Sequence, residues 1–372
     1  MCFLREPALL LLLLVYLCDG KSVLKADDED HRDSKYSILN LFTRFTSANT
    51  NCTGDNGDEG ICYTAKECRR MGGTISSKPC AQGFGVCCIF FKTCQGSTSE
   101  EVAYFQNTKY PEPETTRNKA CMFQLTVPHK DFCQVRLDFD NFELAEPNMP
   151  DGTKAAKCRD DDSFVIEGGH EINPLNMDHV ELCGNNTGQH LYVHLNKSAV
   201  PITFTLFVQA DTTPYKWKIK TTMIDCTKES RLKAPSQCLQ YYIGSEGTIQ
   251  SFNYGSGSSN YLRNLDYQIC INREFDKCGI LYTATKFSLD STNPDNNNLP
   301  PFYCGNADRL TVLGASPGVR CGNGNATSFP NLLVCYSGQF ILNFKSNDED
   351  NGDGHGFQIK YHQQPMCDPS CK

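Results

Sequence analysis

Five cysteines occur twice in the same order. Cys121, Cys133, Cys158, Cys183 and Cys226 fall on Cys270, Cys278, Cys304, Cys321 and Cys367 when the second half of the chain is laid on the first. The segment Phe142-Glu143-Leu144 falls on Phe287-Ser288-Leu289, and the corner Cys183-Gly184-Asn185-Asn186 returns in outline as Cys321-Gly322-Asn323-Gly324-Asn325. Residue identity between the halves is low, yet cysteine order, strand order and corner coincide, so one fold is built twice. Each half is a series of short alternating runs separated by Gly, Pro, Asn and Asp; in the first they cover 122–127, 135–144, 163–167, 191–195, 202–208 and 217–221. Period-two burial with no long helical stretch predicts an all-β chain of two disulfide-braced antiparallel β-sandwiches.

The first twenty residues stand apart. Arg5 precedes the apolar run 8–17, and Cys18-Asp19-Gly20 supplies small residues for cleavage, which reads as a secretory signal peptide (1–20) too short to span a membrane. Without Cys2 and Cys18, twenty of the 22 cysteines remain, and such density in an exported chain predicts disulfides. Sequons at Asn51, Asn185, Asn196 and Asn325 agree with export, and a glycan on Asn185 is expected to keep that end of the sandwich in solvent. The net charge of −8 disfavours nucleic acid and anionic membrane as partners.

Residues 21–50 carry the acidic run 27–30 and are expected to be largely disordered, with Ile38, Leu39, Leu41, Phe42 and Phe45 spaced for a short helix. Segment 51–93 holds Cys52, Cys62, Cys68, Cys80, Cys87 and Cys88 among few large aliphatics, so disulfides must order it. Without a CxxC pair or a nearby histidine it does not read as a zinc site. The sandwiches follow at 94–227 and 238–372, joined by a polar linker at 228–237 around Pro235.

With Cys94 and Cys121, the strand 134–139, Cys158 before Asp160-Asp161-Asp162-Ser163-Phe164, Cys183-Gly184 and the closing Gly356-Phe357 strand, the chain resembles a pair of CUB domains, whose fold is a jelly roll. More narrowly it is similar to secreted arthropod proteins with two CUB-like domains behind a clip-like module, through the run Cys80-Ala81-Gln82-Gly83-Phe84-Gly85-Val86-Cys87-Cys88 and the run beginning Cys238-Leu239-Gln240-Tyr241-Tyr242. The clip likeness implies the pairs Cys52–Cys87, Cys62–Cys80 and Cys68–Cys88. The CUB likeness implies Cys94–Cys121 and Cys158–Cys183, and by repeat Cys238–Cys270 and Cys304–Cys321. Cys133 with Cys226 completes the first repeat, while Cys278, Cys335, Cys367 and Cys371 are left unpaired.

Many CUB domains hold calcium through three acidic side chains, because a hard cation takes six to eight oxygens. By position these are Glu143, then Asp161 or Asp162, then Asp211; counting from Cys158 selects Asp161, whereas aligning Ser163-Phe164 selects Asp162. In the second repeat Ser288 replaces the first acid and the last falls among Asn347 and Asp348, which leaves a calcium site to the first repeat alone, where the alternative is that these carboxylates are ordinary solvated loop residues. The run 348–354 is not an EF-hand, since Ile359 stands where the closing Glu belongs. His190 and His194 share one face of a strand and read as half-buried strand residues, while Trp217 reads as core or sheet-face packing in its own strand. Neither a Gly-Asp-Ser-Gly run nor an HExxH helix occurs, and no enzyme is expected.

The function expected is a secreted, non-catalytic adaptor recognising an extracellular protein or glycan, its two domains adding avidity. The alternative is a protease inhibitor or protease-cascade regulator acting through the cysteine module, with residues 71–78 as its exposed loop.

Overall fold

The computed structural model describes residues 50–117, 119–148, 156–159, 162–168, 180–195, 201–209, 215–255, 260–289, 303–324, 328–336, 338–348 and 354–365. The leader, the acidic segment, Asp161, Asp211, Asn196, Asn325, Cys367 and Cys371 lie outside them.

The cysteine module comprises β1 (Asn51–Thr53), β2 (Glu59–Tyr63), α1 (Ala65–Arg70), β3 (Thr74–Cys80) and β4 (Gly85–Ile89), with strand order β1-β2-β4-β3. The short helix was not anticipated. Thr64 starts it with a capping box, accepting from the Glu67 N–H while the Glu67 carboxylate accepts from the Thr64 N–H. Cys68 on α1 bonds to Cys88 on β4, which ties helix to sheet.

The first sandwich contains β5 (Phe91–Lys92), β6 (Gly96–Thr98), β7 (Val102–Gln106), β8 (Lys119–Leu125), β9 (Phe132–Glu143), β10 (Phe164–Glu167), β11 (Val180–Leu182), β12 (His190–His194), β13 (Ile202–Val208) and β14 (Lys216–Asp225). Its two sheets run β11-β10-β13-β8-β6 and β12-β9-β14-β7-β5. Alternation works as expected: on β14, Trp217, Ile219, Thr221 and Met223 are buried and the lysines between them are less so. Trp217 packs beside Phe105 in the core.

The second sandwich contains β15 (Cys238–Tyr242), β16 (Glu246–Gln250), β17 (Asp266–Ile271), β18 (Lys277–Ser288), β19 (Arg309–Val312), β20 (Val319–Arg320), β21 (Leu332–Cys335), β22 (Phe340–Lys345) and β23 (Gly356–Pro365). Its sheets run β15-β17-β22-β19-β20 and β16-β23-β18-β21. The all-β reading holds, with one amendment. Pairing is antiparallel in the interior, but three edge pairings, β5 with β7, β6 with β8 and β15 with β17, are parallel. Each of these edge strands enters its sheet by crossing over from elsewhere, which a hairpin cannot do.

Eight disulfides brace the described chain: Cys52–Cys87, Cys62–Cys80, Cys68–Cys88, Cys94–Cys121, Cys133–Cys226, Cys158–Cys183, Cys238–Cys270 and Cys304–Cys321. Cys335 is also disulfide-bonded, whereas Cys278 has no disulfide partner among the described residues.

Candidate functional site

The calcium expectation centres on one end of the first sandwich. Glu143 ends β9, facing Lys216 in register and bridging to Asn185. Asp162 lies just before β10 and is 3% exposed. One of its oxygens accepts the Gln209 N–H at 2.7 Å and the Tyr215 hydroxyl. The second repeat reproduces this clamp. Asp308 accepts the Asn347 N–H at 2.7 Å and the Tyr261 hydroxyl, and Ser288 bridges to Asn323 as Glu143 does to Asn185. Both carboxylates stand four residues after a bonded cysteine, Cys158 or Cys304, and that spacing is the sequence signal that equates Asp162 with Asp308. A clamp that recurs where the first acid is Ser288 has a structural use independent of any ion. Of the four candidate ligands the described structure places Glu143 and Asp162, and one Asp162 oxygen is already engaged. A calcium ion would meet there the Glu143 carboxylate and an Asp162 carboxylate that already accepts hydrogen bonds.

That same end is not in solvent. Asn185 donates its backbone N–H to the Asn253 side-chain oxygen at 2.9 Å, and Asn253 donates its own N–H to the Asn186 oxygen at 2.7 Å. The Gln189 amide donates to the Ser251 carbonyl, the Gln240 amide donates to the Gln189 oxygen, and the Asn253 amide donates to Glu146. The corner expected to be kept in water by a glycan is therefore packed on the second sandwich. Asn185 itself remains half-buried, and its side-chain oxygen accepts the Thr187 N–H. Asn51 is exposed.

The histidine reading changes with it. All five residues of β12 are buried, Leu191 and Val193 towards the first core and the alternate face against β15. His190 accepts the Tyr241 N–H through Nε2 at 3.0 Å and stands edge-on to the Tyr242 ring, 4.7 Å between centroids. His194 approaches the Cys238 carbonyl at 3.2 Å and the Gln134 amide at 3.3 Å. The linker is pinned as well: Gln134 both donates to and accepts from the Ala234 backbone, and the Tyr192 hydroxyl donates to the Leu232 carbonyl. Neither histidine is half-buried, because a second domain covers the face that one domain alone would leave open.

The cysteine module is docked by charge. Lys218 on β14 forms ion pairs with Asp58 and, at 3.5 Å, with Asp140, the residue that the β9–β14 register skips. The rings of Tyr104, Phe91 and Tyr110 surround the same ammonium, nearest at 4.8 Å. Lys220 reaches Glu59 at 3.4 Å and Asp138 at 3.7 Å, and the Tyr104 hydroxyl accepts the Glu59 N–H at 2.7 Å.

Residues 71–78 are exposed in part but do not form a free loop. Gly72, Thr74, Ser77 and Lys78 face solvent, yet from Thr74 the segment is edge strand β3, Ser76 is buried, Asp55 accepts from the Ser77 N–H and hydroxyl, and Lys78 donates to the Gly54 carbonyl. The module presents Phe84 instead, 62% exposed after three successive residues of positive φ, Ala81, Gln82 and Gly83. Other large apolar side chains left outside include Phe275, fully exposed between β17 and β18, and Tyr303, 63% exposed.

Among the described residues no cluster of three His, Cys, Asp or Glu side chains could hold a metal, and no helix is long and apolar enough to cross a membrane. What decides the family is the sequence. The family profile "CUB domain" matches residues 94–218 and "Animal CUB domain" matches residues 235–364. The chain belongs to the CUB family. Its two CUB domains are non-catalytic interaction modules of a kind found in extracellular proteins. Among solved structures the chain is similar to the CUB1-EGF-CUB2 region of human MASP-1/3, at 13% identity over 71% of this chain and 100% of that one, TM-score 0.26. It is also similar to the CUB1-EGF-CUB2 domains of rat MASP-1, at 13% identity over 72% and 99%, TM-score 0.24. Likeness at that level says nothing about what this chain binds. No curated protein matches it.

Proposed function

We propose that the protein is a secreted, non-catalytic adaptor that recognises an extracellular protein through its CUB domains and the tip of its cysteine module. The observation that carries this reading is the placement of Phe84 and Phe275, large aromatic side chains held in solvent on disulfide-braced elements. Aromatic anchors on rigid supports lose little entropy on binding and dominate interface energetics. Glycan recognition and calcium in the first CUB domain, through Glu143, Asp161, Asp162 and Asp211, belong to the same proposal. The inhibitor alternative would have to act through an edge strand rather than a free loop, since 71–78 pairs with β4 and is hydrogen-bonded to Gly54 and Asp55.

The test is affinity capture from extracellular fluid on the immobilised full chain, in parallel with a chain carrying Phe84→Ala and Phe275→Ala, each with calcium and with EDTA. A partner retained by the first and lost by the second supports the reading. Equal capture by both chains, or none, removes it. Thermal unfolding with calcium and with EDTA decides the ion: an unchanged midpoint at saturating calcium eliminates the site.

A further inference from the structure

The junction between the CUB domains is polar as well as buried, and two of its polar groups titrate. The Tyr241 N–H has the His190 Nε2 lone pair as its acceptor, so that nitrogen carries no proton. At His194 the Cys238 carbonyl can only accept, which puts the proton on Nε2 and leaves Nδ1 to accept from the Gln134 amide. Each ring therefore accepts one hydrogen bond with a nitrogen that a second proton would occupy. Protonation turns each of these bonds into a contact between two N–H groups, in sites 6% exposed.

We propose that the CUB–CUB junction is an acid-released joint, in which neutral His190 and His194 hold the second domain on the first and their protonation frees it. This goes beyond the adaptor reading and does not depend on the ligand.

The surroundings of both rings favour the neutral form. Around His190, β9 supplies Arg136 and Asp138, β14 supplies Lys220 against Asp138, and β15 supplies Tyr241 and Tyr242, with Tyr361 behind Tyr242. Arg136 is held by Asp138 at 2.7 Å and by the Tyr192 hydroxyl at 3.0 Å, so the carboxylate that could favour an imidazolium is already paired. Burial first, then Arg136, push His190 down to about 3, against the opposing pulls of Asp138 and of the Tyr241 backbone. Around His194 the facing groups are Gln134, Ala234 and Cys238, all uncharged, and burial lowers it too, outweighing the hydrogen bond to the Cys238 carbonyl that favours the charged form. Burial raises the Tyr242 hydroxyl, which stays neutral throughout.

The docked state thus binds fewer protons than the opened state below the ordinary histidine value of about 6.5. Docking is at full strength above that pH and is lost as pH falls from there towards about 3. Between pH 7.4 and 5.0, His190 alone multiplies the opening equilibrium about 30-fold, and His194 adds to this.

Hydrogen exchange on the full chain at the Tyr241 amide, corrected for the pH dependence of intrinsic exchange, tests the joint alongside small-angle scattering. The expected result is a reversible fall in protection of about 30-fold or more at pH 5.0, with a larger radius of gyration. Amides of the β18–β23 pairing, interior to the second domain, stay protected. A chain with His190→Gln and His194→Gln, which keeps acceptors without the titration, is expected to lose the response. Protection of wild-type Tyr241 that changes less than threefold overturns the proposal without reference to any variant. An equal fall in the double variant, or a matching loss across β18–β23, overturns it as well.

Discussion

The side chain of Asn253 lies directly over Gly184. Its oxygen accepts the N–H of the next residue, Asn185, and a Cβ built on Gly184 would sit 1.8 Å from that oxygen. Gly184 also has φ +71, so glycine is required there both for backbone conformation and for the approach of the second domain. Gly184→Ala is expected to destabilise the folded chain by about 2–4 kcal/mol, since strain and overlap add. Denaturant unfolding measures the loss, and an accompanying rise in exchange at Asn253 locates it at the junction.

Asp162→Ala removes the acceptor of the Gln209 N–H and of the buried Tyr215 hydroxyl. The expected cost is about 2–4 kcal/mol, the price of stranding buried donors. Thermal unfolding in EDTA should show nearly the whole loss, because the clamp acts without an ion. A loss seen only in calcium would assign Asp162 to the metal instead.

Lys218→Met leaves Asp58, only 8% exposed, without its ammonium and exchanges a cation among three aromatic rings for a thioether. Undocking of the cysteine module by about 2–4 kcal/mol is expected. The Glu59 amide, bonded to the Tyr104 hydroxyl across that interface, is the reporter: its exchange should accelerate while the disulfide-braced module stays folded.

Phe84→Ala and Phe275→Ala should leave the unfolding midpoint within about 0.5 kcal/mol of the wild-type equivalent, because exposed side chains stabilise little. Their effect is expected in partner capture, where loss of an aromatic anchor costs about 2 kcal/mol or more, some 30-fold in affinity. Calorimetry and capture on the same samples separate the two effects.

Much of this architecture was legible in the chain. Cysteine order and the returning Cys-Gly-Asn corner are local signals, and they located two sandwiches whose bonded pairs Cys158–Cys183 and Cys304–Cys321 occupy equivalent positions. The alternation through β12 correctly placed His190 and His194 on one face. The candidate site was less legible. Spacing from Cys158 left Asp161 and Asp162 unresolved as alternatives, and the clamp appears only when Tyr215, just before β14, and Gln209, just after β13, are brought in. Nothing near Met71 announced that Asp55 and Gly54 would tie down the edge strand.

By itself, then, the sequence determined the class of fold, its duplication and the side on which each strand residue lies, because alternation and cysteine order are written along the chain. Only the tertiary structure decided what covers the outer face of β12. That cover is Tyr241 and Cys238, contributed by a strand about fifty positions further on, and no local period reports it. The physical reason is that a strand fixes which residues share a face, while the solvent or protein opposite that face is a property of the assembled domains.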